Sequence, residues 1–230
     1  MAEQNRAYHG QAGSIFAARA DAPGLNSLHE RPAVVALIGD AGGQDIADLG
    51  CGAGHLAAIL SAAGAKVTGV EGSEVLVARA RETAPAAAIV HHDLDVPLDF
   101  LADASQDGVV CALVIHHLSD RPRFLAEVRR ILRPGGWLVL SSTHPTADWG
   151  YFGGSYFDKR WVTRSFGEAT MEYQLMTMST LLNEIADAGF VLERLVEPQP
   201  TEALRDVDAE QYEKWDSAPI FVALRAHAER

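Results

Sequence analysis

Basic residues are scarce in this chain. It carries 19 Lys and Arg against 31 Asp and Glu in 230 residues, a formal charge of −12. Such a surface repels phosphate backbones, so no nucleic-acid partner is expected. Cysteine is nearly absent. Cys51 and Cys111 each lie in or beside an apolar strand signal, which excludes a disulfide framework and suits small buried residues in a reducing compartment. No apolar run approaches the ~20 residues that span a bilayer. The opening M-A-E-Q-N-R-A-Y-H-G lacks the basic start and apolar centre of a secretory signal. The expectation is a cytoplasmic chain with no membrane partner and a small-molecule substrate, acting as monomer or homodimer. No internal repeat or low-complexity segment appears. What is present is 48% apolar residues at a mean hydropathy near zero. That composition and length suit one domain over residues 1–230 with a full core.

The densest signal is I-A-D-L-G-C-G-A-G, Ile46–Gly54. A short apolar stretch around Asp48 leads into glycine at alternate positions, Gly50, Gly52 and Gly54, and a helix-patterned segment follows at once. This is a strand ending in a tight turn that opens a helix. Glycine permits positive φ and lets a ligand reach bare main chain, and the first amides of the next helix point at whatever sits there. Lys66–Val70 is a second β-patterned run, closed by Glu71 about 20 residues after the first glycine, where an acid accepts hydrogen bonds from a ribose diol. The constellation suits an adenosine-containing cofactor with a free 2′-hydroxyl. A glycine turn needed only for helix–strand packing is the structural alternative.

D-L-G-C-G-A-G resembles the first motif of class I S-adenosylmethionine-dependent methyltransferases, and G-V-E-G-S their second. The resemblance covers roughly Leu28 to the C-terminus. A nicotinamide-type loop would instead space its glycines G-x-G-x-x-G, leaving room for a pyrophosphate. The resemblance implies S-adenosyl-L-methionine as cofactor, with S-adenosyl-L-homocysteine as product. It implies a cofactor set of Asp48, Gly50, Cys51, Gly52, Gly54, Glu71, Gly72, Asp93, Leu94 and Val114. In it Asp93 accepts the adenine amino group and the Leu94 amide meets the ring. Asp48 orients the loop through main-chain hydrogen bonds and faces the cofactor's amino group.

Strand and helix signals alternate through residue 142. A helix over Leu28–Gly39 precedes strand one at Ile46–Leu49. The next strands are read at Lys66–Val70, Ala87–His91, Gly108–Ile115 and Trp137–Ser142, with R-P-G-G (Arg133–Gly136) a turn into the fifth. Helices are read at Gly52–Ala63, Glu74–Thr83 and Asp120–Leu132. Phe190–Leu195 and Pro219–Arg225 complete the set, with helices at Ser179–Ala188 and Asp208–Trp215 between. The expected fold is α/β: a doubly wound, mostly parallel seven-stranded sheet with helices on both faces. By the resemblance, the last strand is antiparallel.

Residues 144–173 break the alternation and concentrate aromatics that are only 7% of the chain overall. Trp149, Tyr151, Tyr156 and Trp161 are read as acceptor-binding residues of a cap inserted after strand five; a satellite cluster shielding the sheet edge is the alternative. Residues 1–27 are weakly patterned. The resemblance implies a lid, with Tyr8 and His9 touching the ligand; a terminus that touches nothing is the other reading. His117, His116 and His144 fall at strand carboxyl ends, where ligands bind in such sheets. Histidine suits removal of a proton from a hydroxyl or amine nucleophile. Adjacent strand residues face opposite ways, so one of His116 and His117 at most should face the cleft, with His117 favoured. His91, His92, Asp93, His116 and His117 match no established metal-ligand spacing, and no metal is expected. Two functions follow: in-line methyl transfer to a small, partly apolar O-, N- or C-nucleophile, with or without a histidine base, or a cofactor-binding regulatory or partner-binding module without catalysis. A nicotinamide-dependent oxidoreductase is disfavoured by the glycine spacing.

Overall fold

The computed structural model describes Tyr8 and residues 10–229. His9, one of the two acceptor candidates near the N-terminus, lies outside the described residues. The first helix, α1, spans Gly10–Ala20 and starts earlier than the helical turns expected at Ile15–Ala22. The expected Leu28–Gly39 helix divides. Asn26–Glu30 forms a turn of π-helix, and α2 is Arg31–Ile38, with Pro32 in its first turn where a missing N–H costs nothing.

The sheet strands in chain order are β1 (Asp45–Leu49), β2 (Lys66–Glu71), β3 (Ala88–His91), β4 (Gln106–Ala112) and β5 (Leu132–Thr143). The hairpin strands β6 (Trp161–Phe166) and β7 (Ala169–Gln174) follow, then β8 (Phe190–Val196) and β9 (Phe221–Ala228). The main sheet runs β3-β2-β1-β4-β5-β9-β8. It is parallel except for β9, which pairs antiparallel with both neighbours. This is the doubly wound sheet with a reversed last strand that the sequence implies.

Helices α3 (His55–Ala62), α4 (Glu74–Thr83), α5 (Arg121–Ile131) and α7 (Met178–Asp187) cover its faces together with α2. On one face Phe124, Leu125, Val128, Leu181 and Ile185 from α5 and α7 pack on Val109, Leu138 and Leu140. On the other Val34, Ile38, Leu56 and Leu60 from α2 and α3 pack on Ile46, Val110 and Val139. The central strand is buried on both sides, which its nearly unbroken apolar run requires. Ser73 caps α4 and Asp120 caps α5, each accepting a main-chain N–H. Thr177 caps α7, which starts one residue before the expected Ser179.

Three differences from the sequence reading matter. Strand four ends at Ala112, because Leu113 adopts φ 58° and the chain turns into a 3₁₀ turn at Ile115–His117. R-P-G-G lies inside β5, where its extra residues loop out of register against Gln106–Gly108 with Gly135 at φ 78°. The 144–173 segment is structured: α6 (Pro145–Phe152), then the antiparallel hairpin β6–β7. A further short helix, α8 (Glu202–Val207), precedes α9 (Ala209–Asp216). Among the described residues, no helix is long and apolar enough to cross a membrane.

Candidate functional site

A cavity of about 920 Å³ opens at the carboxyl ends of β1, β2 and β4 and is roofed by α1 and the β6–β7 hairpin. Its floor is the glycine loop. Gly50 has φ 81°, and a Cβ there would sit 2.3 Å from Val114 Cγ2. A Cβ on Gly52, at φ 56°, would meet nothing closer than Phe16 Cε1 at 3.7 Å. Gly50 is therefore glycine for the packing beneath it, whereas Gly52 leaves bare main chain facing open space. The Gly50 and Cys51 amides donate to the Val70 carbonyl at 2.7 and 3.0 Å, which ties the loop to β2.

Glu71 holds the rest of the loop. Its Oε2 accepts the Gly52 N–H at 2.9 Å and its Oε1 the Ser73 N–H at 2.9 Å. That task had been expected of Asp48. Asp48, 1% exposed, does accept a main-chain N–H, that of Ala57 in the first turn of α3, while its Oδ2 has no hydrogen-bond partner among the described residues. Burial, then the charges of Glu71 and Glu30, push its carboxyl up to about 7. Glu30, from the π-turn, lies beside it. Burial also raises its carboxyl to about 7, against a hydrogen bond from Ser141 Oγ and the charge of Arg31. Glu30 and Arg31 line the cavity, yet the sequence reading passed over both. The available signal was two adjacent charges at the start of a helix otherwise read as apolar.

The other cofactor candidates surround this floor. Asp93, Leu94, Gly72, Cys51 and Val114 all line the cavity. Asp93 Oδ1 also accepts the Asp95 N–H at 2.9 Å, a local Asx turn. Gly54 does not line the cavity; a Cβ there would lie 2.9 Å from Ala80 Cα, so it serves the packing of α3 on α4.

The histidines sort by their partners. His116 and His117 both line the cavity, contrary to the strand-alternation argument, because the 3₁₀ turn replaces strand there and brings the rings to 4.4 Å. His117 Nδ1 lies 3.2 Å from the Glu172 carbonyl of β7. A carbonyl only accepts, so Nδ1 carries the proton and Nε2 presents a lone pair. Burial holds this imidazole down at about 4 despite that bond. His116 is buried against Ser142 Oγ at 3.0 Å, and burial drives it well below the ordinary range. His144 is a correction: it does not line the cavity. Its Nδ1 accepts the Thr146 N–H as the cap of α6, and its Nε2 donates to Glu197 Oε1 at 2.9 Å, leaving no lone pair for chemistry.

The aromatic candidates divide too. Tyr8 and Tyr151 line the cavity; Trp149, Tyr156 and Trp161 do not. Trp149 Nε1 donates to the Gly154 carbonyl at 2.9 Å within the insert, and the Tyr156 hydroxyl accepts the Met178 N–H at 2.9 Å, which ties the insert to the start of α7. The wall facing His117 is built instead by Tyr8, Tyr173, Met171 and Arg164. The buried Arg121 clamps the hairpin down. It donates to Glu184 through Nε at 2.7 Å and Nη2 at 2.9 Å, and through Nη1 to Gln174. Among the described residues, no group of three or more His, Cys, Asp or Glu is arranged to hold a metal ion.

Residues 47–140 match the family described as "Methyltransferase domain". A stretch of 101 residues, 44% of the chain, is 39% identical to a probable S-adenosylmethionine-dependent methyltransferase of Mycolicibacterium smegmatis. That stretch covers 38% of the relative, so the chain matches about two-fifths of its length. The crystal structure of an S-adenosylmethionine-dependent methyltransferase from Mesorhizobium loti superposes with a TM-score of 0.71 and 28% identity, over 89% of this chain and all of the other. A Listeria monocytogenes structure shares the fold at TM-score 0.76 and 22% identity, over 87% of this chain and 97% of that one.

Proposed function

We propose that the chain is a class I S-adenosylmethionine-dependent methyltransferase, and that it methylates a small, partly apolar acceptor by in-line displacement, with His117 receiving the acceptor's proton. One observation carries the reading: a single cavity joins an acidic, glycine-bare floor to an imidazole of fixed tautomer under an aromatic roof.

The residues present fit the cofactor. The open face of Gly52 admits an adenosyl group against main chain. Glu71, which accepts the Gly52 and Ser73 amides, closes β2 at the cavity, where a carboxylate suits a ribose diol. The unpartnered Asp48 oxygen and the neighbouring Glu30 carboxyl suit an ammonium, Arg31 suits a carboxylate, and Asp93 with the Leu94 amide suits an adenine edge. When bound, the cofactor supplies a methyl on a sulfonium, already a strong electrophile.

The chain's own work is to position, exclude water and accept a proton. Holding the reactants in line is worth up to ~7–11 kcal/mol in ideal systems. The Glu172 carbonyl keeps the His117 Nε2 lone pair available, and at neutral pH the ring is uncharged, so it accepts a proton without first losing one. Residues 1–27 act as a lid through Tyr8, and residues 144–173 as the acceptor cap of one domain over residues 1–230. Calorimetry with S-adenosylhomocysteine tests the premise, and absence of binding would refute it. With an acceptor in hand, His117→Gln should lower kcat by ~10²-fold or more while cofactor affinity holds; unchanged kcat would remove the base role.

A further inference from the structure

The acceptor end of the cavity holds a cation that the cofactor end does not need. Several arginines of this acidic chain are matched to carboxylates: Arg121 to Glu184, Arg130 to Glu127, Arg133 to Asp45, Arg225 to Glu193. Arg164 lines the cavity from β6 and makes no direct carboxylate contact among the described residues; it hydrogen-bonds the Tyr173 hydroxyl, and its charge acts on Asp148 across the same wall. Its guanidinium lies over the Tyr151 ring, 5.0 Å from the centroid. Asp148 itself accepts from Thr143 Oγ1 at 2.6 Å and the Tyr173 hydroxyl at 3.0 Å, so the guanidinium's fork has no carboxylate of this chain against it. A second cavity arginine, Arg31, stands beside Glu30 and Asp48 on the floor, where a cofactor carboxylate would go. Arg164 instead shares its hairpin with the proton-accepting geometry. It pairs in register with Met171, next to Glu172, whose carbonyl orients His117. Tyr8 and Tyr173 flank that imidazole edge-on, with ring centroids 5.9 and 6.1 Å away.

The geometry points to a planar acceptor that is itself an acid: its carboxylate is gripped by Arg164, its ring lies among Tyr8, Tyr151 and Tyr173, and its nucleophile is presented to His117. This rests on the methyl-transfer reading above and narrows its substrate class. A guanidinium fork matches a carboxylate through two parallel N–H···O bonds, and stacking on Tyr151 holds the fork's plane. The carboxylate gains and loses no bond; it is a handle.

The test is a binding measurement on protein saturated with S-adenosylhomocysteine, so turnover plays no part. Tyrosine and tryptophan fluorescence or calorimetry compares 3- and 4-hydroxybenzoate with the matching hydroxybenzamides. At least one acid should bind about tenfold or more tighter than its amide, the discrimination expected of one charge-assisted pair. Arg164→Gln should bring that acid down to its amide, leave the amide unchanged, and leave S-adenosylhomocysteine affinity intact. Arg164→Lys, which keeps the charge and loses the fork, should retain part of the preference. Equal binding of acid and amide, no binding of either acid, or an equal loss of S-adenosylhomocysteine affinity in Arg164→Gln would each overturn the assignment. Failure of the wild-type chain to bind S-adenosylhomocysteine would instead overturn the reading on which it rests.

Discussion

Replacing Glu30 by Gln should change how the protein's stability depends on pH. Glu30 is buried beside Asp48, Arg31 and Ser141, and its carboxyl is pushed from 4.5 to about 7. A raised carboxyl binds a proton more tightly in the folded chain than in the unfolded one. Its contribution is therefore complete below pH 4.5 and is lost as the pH rises through about 7. Each pKa unit is worth about 1.4 kcal/mol, so the rise from 4.5 to about 7 corresponds to about 3 kcal/mol at most. Gln cannot titrate, so whatever constant offset it introduces, the gap between variant and wild type should move by about 3 kcal/mol in favour of the variant between roughly pH 4 and pH 8. For a chain of this size that is ~6–12 °C in the melting midpoint. The comparison matters because His117 works the other way: its depressed value, about 4, makes the fold gain stability as pH rises toward 6.5. The difference between the two proteins cancels His117 and reports Glu30 together with the share of the Asp48 rise that Glu30's charge supplies. Circular dichroism melts of the cofactor-free forms supply the measurement, and parallel midpoints across that range would refute the argument. Adding S-adenosylhomocysteine, whose ammonium is offered to the same floor, should flatten the wild-type slope.

Three further outcomes follow from the same geometry. Gly52→Ala should lose cofactor affinity by calorimetry while folding stability falls by only about 1 kcal/mol of left-handed strain, whereas Gly50→Ala, whose Cβ would lie 2.3 Å from Val114, should lose fold and affinity together. Glu71→Ala should weaken S-adenosylhomocysteine binding by about 2 kcal/mol or more in titrations, since it removes both the ribose acceptor and the anchor of Gly52 and Ser73. His144→Ala should destabilise by about 0.5–2 kcal/mol through the lost cap of α6, with cofactor affinity unchanged in the same titration.

The sheet was legible because its signals are local: period-two apolar runs, glycine punctuation after β1, and capping residues such as Ser73 and Asp120. The neighbourhood of the glycine loop was legible because residues that follow a strand in sequence must lie at its carboxyl end in space. What failed were inferences that needed tertiary context. Leu113 at φ 58° carries no residue-type warning, so the turn that brings His116 and His117 to one side was invisible. Aromatic density marked the insert but could not say which rings turn inward; Trp149 bonds within the insert and Tyr156 to the start of α7, while Tyr173 and Arg164 took the wall. Glu30 escaped notice because a buried acid in a helical turn has no sequence signature distinct from an exposed one.

The atom that fixes the His117 tautomer belongs to the main chain of Glu172, not to a side chain. Residue identities along the hairpin are thus free to drift with little effect on the imidazole, provided the strand pairing that sets the carbonyl's place is kept. A lineage of such proteins could exchange one ligand for another by rewriting the roof while leaving the His117 imidazole in register.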